Sequence, residues 1–211
     1  MNRQLLKTFN LLLTLLLPAT LAGCSIIPQP KTVQLLDPQL ATPAVRPVAA
    51  NWRLNVNRPV TDPVRDSNQV LVRTRQGQLQ VHPSARWVAA SPDLLRTLLI
   101  RYLRDSQALQ LTASATAGLD HTLALDLRQF EVVEDNNQLQ ARIKLEARLY
   151  DNRSARLLSR QLFARQQPLP DMQPAQLVSG FEAVLQQLIP AITDWLTDDP
   201  GSGQNSQDNS G

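Results

Sequence analysis

From Leu139 to Leu149 every odd position is apolar (Leu139, Ala141, Ile143, Leu145, Ala147, Leu149), and between them stand Gln140, Arg142, Lys144, Glu146 and Arg148. A period of two held over that length predicts a long strand with one face in a core and the other in water. Upstream, Leu123, Leu125 and Leu127 keep the same period before it changes phase to Phe130 and Val132. A β-bulge near Arg128-Gln129 would produce that one-residue change. Asp135-Asn136-Asn137 and Asn152-Arg153-Ser154 read as turns on either side, so a third strand over residues 156–165 completes a meander. Its inward set stays open between Leu158 with Leu162 and Leu157 with Phe163.

Two segments follow the period of a helix instead. Ser91-Pro92-Asp93 is a start signal, with serine as N-cap, proline at the first helical position and aspartate against the dipole. The helix it opens runs to about Asp105, with Leu94, Leu95, Leu98, Leu99, Tyr102 and Leu103 on one face. Beyond Pro168, Pro170 and Pro174, a longer apolar stripe runs from Leu177 and Phe181 through Leu185, Leu188 and Ile192 to Trp195 and Leu196, and Pro190 inside it predicts a bend. Before the first helix, Trp52, Leu54 and Val56 mark a first strand, and Gln69–Arg75 with Gln78–Val81 flank Gly77 as a hairpin that Pro83 closes. After that helix, Leu109, Leu111 and Ala113 alternate, and strand, helix and strand are expected to form a right-handed crossover. The predicted fold is one α/β sandwich: a mixed, largely antiparallel sheet with two main helices covering mainly one face.

The N-terminus follows another logic. Arg3 and Lys7 precede a leucine-rich run from Phe9 to Leu17 that is too short to span a bilayer, which is the form of an export signal. Directly after it stands Leu21-Ala22-Gly23-Cys24, which contains the chain's one cysteine and resembles the lipobox of bacterial lipoproteins. That resemblance implies cleavage before Cys24 and acylation of Cys24, palmitate being one expected chain. Several acyl chains make such an anchor practically permanent without spanning the membrane. By the same resemblance Ser25 implies sorting to the outer membrane, with the domain facing the periplasm. The expected organisation is a signal over 1–23, an acylated and proline-rich tether over 24–50, the folded domain over 51–197 and a disordered polar tail over 198–211.

Losing residues 1–23 removes Arg3 and Lys7 and no acid, so the formal charge of +3 falls to +1. A nearly neutral domain has no general electrostatic attraction to nucleic acid. One cysteine excludes intramolecular disulfides and cysteine-cluster metal sites. His82 stands beside Pro83 and His121 behind Asp120, without a Gly-x-Ser-x-Gly elbow or a second ligand at helical spacing, and both read as surface residues. Asp198-Asp199 reads as a solvated helix end, and no Walker A loop occurs. No catalytic residue, metal or cofactor is assigned.

Binding is the remaining chemistry. The outer sheet face is expected to present Arg73, Arg75, Arg142, Lys144 and Arg148, either as a solvated surface or as a docking face for carboxylates or phosphates. Trp87 is either an interface anchor or a core residue between sheet and helix. The leucine stripes of the helices read as core before they read as a lipid cavity.

The segment order, the lipobox and the phrase Trp87-Val88-Ala89-Ala90-Ser91-Pro92-Asp93-Leu94-Leu95 together resemble the ABC-type transport auxiliary lipoproteins, which include the Pqi-type intermembrane transport lipoproteins. The likeness covers about residues 31–196, continuing through Leu123–Phe130 and the final helix; Thr32-Val33-Gln34-Leu35-Leu36 departs from it where relatives often carry an aromatic pair. It implies a non-enzymatic outer-membrane partner of an MCE-domain protein, whose inner-membrane permease and ATPase move lipids or other hydrophobic molecules between membranes. The competing classes are a structural or assembly lipoprotein and, disfavoured by its missing motifs, a lipid-anchored hydrolase.

Overall fold

A computed structural model of the chain describes residues 32–45, 50–111 and 118–198. Cys24, the signal and the polar tail beyond Asp198 lie outside them. The described residues form strands β1 (Gln34–Leu36), β2 (Ala50–Val56), β3 (Gln69–Arg73) and β4 (Leu79–Trp87), then helix α1 (Ser91–Ser106) and strand β5 (Leu109–Leu111). Strands β6 (His121–Asp135), β7 (Gln138–Asp151) and β8 (Leu157–Leu169) follow, and helix α2 (Pro174–Thr197) ends the domain. All eight strands share one mixed sheet.

β6 is the spine of that sheet. Along one edge it pairs with β7 over its whole length, antiparallel, and β7 pairs with β8 in the same sense. The other edge is used twice, by β2 against His121–Leu123 and by β3 against Glu131–Val133, both parallel. Between them the connection stays on β6: the Val60 amide donates to the Leu125 carbonyl at 2.9 Å, and the Val60 carbonyl accepts from Leu127 at 2.8 Å. β5 extends the β2 arm, while β4 and then β1 extend the β3 arm.

The long alternation becomes β7 as predicted, with Ala141, Ile143, Leu145, Ala147 and Leu149 fully buried. The expected bulge is present too, since the β6–β7 register shifts between Leu127 and Gln129. It puts Phe130 and Val132 on the buried face with Leu123, Leu125 and Leu127. Asn136 and Asn137 both take positive φ (45° and 62°), the conformation a two-residue hairpin turn demands and asparagine tolerates. On β8 neither open pair holds as a unit: Phe163 is buried opposite Leu145 and Leu162 is half exposed, but Leu158 packs on the core and Leu157 is exposed, because the β7–β8 register shifts between Leu149 and Tyr150.

Five expectations change. The tether does not extend to residue 50: Gln34–Leu36 pairs with Ala85–Trp87 as β1, and Leu36 enters the core, so the folded domain begins near Gln34. Three residues are too few for periodicity to reveal. Pro83 does not end β4, because the β3–β4 register jumps from Leu71–Val81 to Gln69–Arg86, and that irregularity accommodates a residue with no amide proton. Ser91 is inside α1, not its cap; Ala90 holds the N-cap position, and the Ser91 amide donates to the Ser67 carbonyl at 3.0 Å. β5 makes no parallel crossover with β4, but pairs with β2, whose edge opposite β6 is free to take it. His82 is buried, not at the surface: its Nε2 donates to the Met172 carbonyl at 3.2 Å and ties β4 to the approach of α2.

Both helices contribute their apolar stripes to one continuous core. At its centre Trp87, Phe130 and Phe181 meet with ring centroids 4.8–5.4 Å apart, all fully buried. α2 runs through Pro190 without a break. It packs tightly on the sheet at Gly180, where an added Cβ would lie 2.1 Å from a methyl of Leu169. Buried Ile143 and its outward neighbour Lys144 separate the two faces cleanly. Ile143→Ala is expected to cost about 2–5 kcal/mol and Lys144→Ala under about 0.5 kcal/mol, read from urea unfolding; equal losses would contradict this register.

Candidate docking surface

Because β7 alternates and the helices cover its inward residues, Gln140, Arg142, Lys144, Glu146 and Arg148 fall together on the opposite face. Register sets the rows across that face: Glu131–Arg142–Gln166, Gln129–Lys144–Ala164, Asp126–Glu146–Leu162 and Ala124–Arg148–Arg160.

The row through Glu131 holds the strongest electrostatics. Glu131 is fully buried although it points away from the helices, and three basic or polar groups converge on it. Its Oε1 accepts from Arg73 Nε at 2.7 Å and from Gln129 Nε2 at 3.4 Å, while Oε2 accepts from Arg65 and, at 3.3 Å, from Arg73 Nη2. Arg65 comes from the β2–β3 connection and also bonds Asp62, whose carboxylate accepts the Val64 and Arg65 amides at 3.0 and 3.1 Å. Burial pushes the Asp62 carboxyl up, but its hydrogen bonds from Arg65 outweigh that and hold it below the ordinary aspartate value. A depressed carboxyl contributes stability above its unfolded pKa that is lost as pH falls through the folded one. Arg58 anchors the same connection to α1: its Nε and Nη2 reach Asp93 at 2.7 and 2.9 Å and its Nη1 and Nη2 reach Asp66 at 3.2 and 2.5 Å. The Asp93 hydrogen bonds lead in raising the Arg58 pKa above its usual value.

The residues expected to bind a partner therefore part company. Trp87 is core, with no exposed surface, and is corrected from a possible interface anchor; among the described residues its Nε1 meets no acceptor. Arg73 is committed to Glu131, so it holds the sheet together rather than facing a partner. Arg75 bonds Asn137 across the tips of the two hairpins. Arg148 lies 3.3 Å from Glu146, which Arg128 also engages at 2.5 Å. Arg142 bonds only the Gln140 side chain, at 3.1 Å, and neither Arg142 nor Lys144 meets a carboxylate among the described residues. These two line a shallow groove of about 320 Å³ with Gln129, Ala164, Arg165 and Gln166.

Sequence reasoning missed Glu131 and Arg65. The one available signal was an acid set within Phe130-Glu131-Val132-Val133, where a lone charge among apolar residues suggests a paired one. His121 packs edge-on to Trp52 at 4.8 Å, and Asp198 continues the end of α2, its amide donating to the Asp194 carbonyl at 2.9 Å; Asp199 lies outside the described residues. Among the described residues there is no cluster of three or more metal-ligating side chains, and no helix is long and apolar enough to cross a membrane. The apolar stripes of both helices are packed into the core.

A family model described as the ABC-type transport auxiliary lipoprotein component matches residues 34–193. Its first residue is the first of β1. A crystal structure of a Xanthomonas campestris protein is similar at 26% identity and a TM-score of 0.71, over 78% of this chain and 95% of that one. A hypothetical protein of Chlamydia trachomatis shares the fold at 11% identity and a TM-score of 0.53, over 70% of this chain and 96% of that one. No curated protein matches.

Removing the buried acid strands two guanidinium groups, so Glu131→Ala is expected to cost about 3–5 kcal/mol of stability in urea unfolding. A loss below about 1 kcal/mol, the range of exposed pairs, would show that the network does not hold the connection to β6.

Proposed function

This chain belongs to the ABC-type transport auxiliary lipoprotein family, and from that premise we propose that it docks the periplasmic end of an MCE-type transport system from an anchor in the outer membrane. It acts without catalysis. The inner-membrane permease and ATPase supply the energy, and lipids or other hydrophobic molecules pass between membranes through a conduit that this domain holds or caps. The observation carrying the reading is the family match, which spans the domain from β1 into the last turns of α2. The Cys24 lipobox supports the anchor, and the prolines of the segment that follows it support a spacer between membrane and domain.

Arg142 and Lys144 are the docking residues this reading favours. Among the described residues neither meets a carboxylate and the two share one groove, so a partner carboxylate could engage them without first breaking an internal ion pair, whereas Arg75, which also meets no carboxylate there, is bonded to Asn137 at the hairpin tips.

Two outcomes test the proposal. Cys24→Ala should leave the chain unacylated, lighter by mass spectrometry and absent from the outer-membrane fraction; unchanged mass and fractionation would refute the anchor. Arg142→Glu with Lys144→Glu should reduce recovery of the MCE-domain protein from envelope extracts by about tenfold or more, with an unchanged melting temperature. Full recovery by this folded variant would remove the groove from the docking surface. Failure of the wild-type chain to recover any transporter component would point to a structural lipoprotein.

A further inference from the structure

β8 leaves a long backbone edge open. Among the described residues it pairs with β7 alone, and it is 13 residues long, whereas the strands at the ends of the two arms, β1 and β5, have three residues each. Two observations show which groups face outward. Pro168 has no amide proton, and a proline is accommodated in an edge strand where its nitrogen faces away from the neighbour. Backbone groups alternate in direction along a strand, so Arg160, Leu162, Ala164 and Gln166 face the same way. Arg165 marks that side independently: its Nη1 donates to the Ala164 carbonyl at 2.8 Å, where an added strand would place an amide.

The edge also carries one sign of charge. Between Asp151 and Asp171 the chain has Arg153, Arg156, Arg160 and Arg165 and no acid. One strand further in, Arg142 and Lys144 line the groove beside Ala164, whose small side chain leaves Lys144 within reach from the edge. We infer that the β8 edge accepts an extended acidic segment of a partner protein as an added strand, hydrogen-bonded at the even positions 160–166, with its carboxylates met by Arg160, Arg165 and Lys144. That this partner is the transporter rests on the docking reading above. The incoming amide displaces Arg165 from the Ala164 carbonyl, which frees the guanidinium to take a carboxylate. A second copy pairing β8 to β8 would bring together two edges of the same positive charge, with no acid between Asp151 and Asp171 on either to offset it.

The test uses the full chain in detergent and two labelled peptides of equal length, one alternating threonine with glutamate and the other threonine with lysine, titrated by fluorescence anisotropy. The acidic peptide is expected to bind about tenfold or more tightly than the basic one and to slow amide exchange across residues 160–166. Ala164→Pro removes an outward amide without touching the β7 ladder, so it should abolish binding at a near-normal melting temperature. Should that variant melt early, Arg160→Glu with Arg165→Glu gives the same information by inverting the preference between peptides. No binding, equal binding of both peptides, or binding that survives both variants would overturn the inference. So would a concentration-dependent dimer in sedimentation that Ala164→Pro dissolves, because a second copy would then occupy the edge. The peptide titration needs no transporter, so its failure is distinct from failure to recover the transport system.

Discussion

The structure depends on the register of β6. This strand carries β7 on one edge and both arms of the sheet on the other, so every face assignment passes through it. With an unbroken period of two, the odd positions that begin with Leu123 would continue inward and carry Glu131 into the apolar core. The bulge at Arg128 prevents this. It hands the core Phe130, which stacks on Phe181 at 5.0 Å and meets Trp87 at 5.4 Å, and turns Glu131 to the far face where Arg65 and Arg73 receive it. One inserted residue thus serves the aromatic core and the ion network together, and the Leu127 carbonyl at the bulge accepts from Thr61 Oγ1 at 2.6 Å.

The features legible in the sequence were those with a period. β7, the bulge, the two hairpin turns of the meander and both helix stripes follow from spacing, because burial of one face imposes it on every residue. What spacing could not show depends on partners distant in sequence. β1 is three residues long, and nothing in Gln34-Leu35-Leu36 reveals that Ala85–Trp87 will pair with it. Pro83 reads as a stop until the β3–β4 irregularity accommodates it. The docking candidates fared unevenly for the same reason. All five cations lie on strands or at a hairpin tip as expected, but which of them stays unpaired depends on Glu131, Glu146 and Asn137, contacts that the one-dimensional pattern does not contain.

The two sides of the sheet therefore divide the work. The side beneath α1 and α2 is core: the leucines that might have lined a cavity are packed there, and Trp87 with them. The other side is polar and partly covered by the β2–β3 connection, which Arg58 and Arg65 hold in place. Toward β7 and β8 that cover ends, and there Arg142, Lys144 and the arginines of β8 stand together. An anchored auxiliary component of a transporter needs a rigid surface more than it needs moving parts, and a surface built on strands with a packed opposite face meets that need.

The claim that this face docks the transporter is tested most directly by amide hydrogen exchange on the lipidated chain, alone and in complex with the purified transport proteins. The account predicts that complex formation slows exchange in β7 and β8 and leaves α1 and α2 as they are in the free chain. Slowing confined to α1, α2 or the β1 edge, with β8 unchanged, would contradict it.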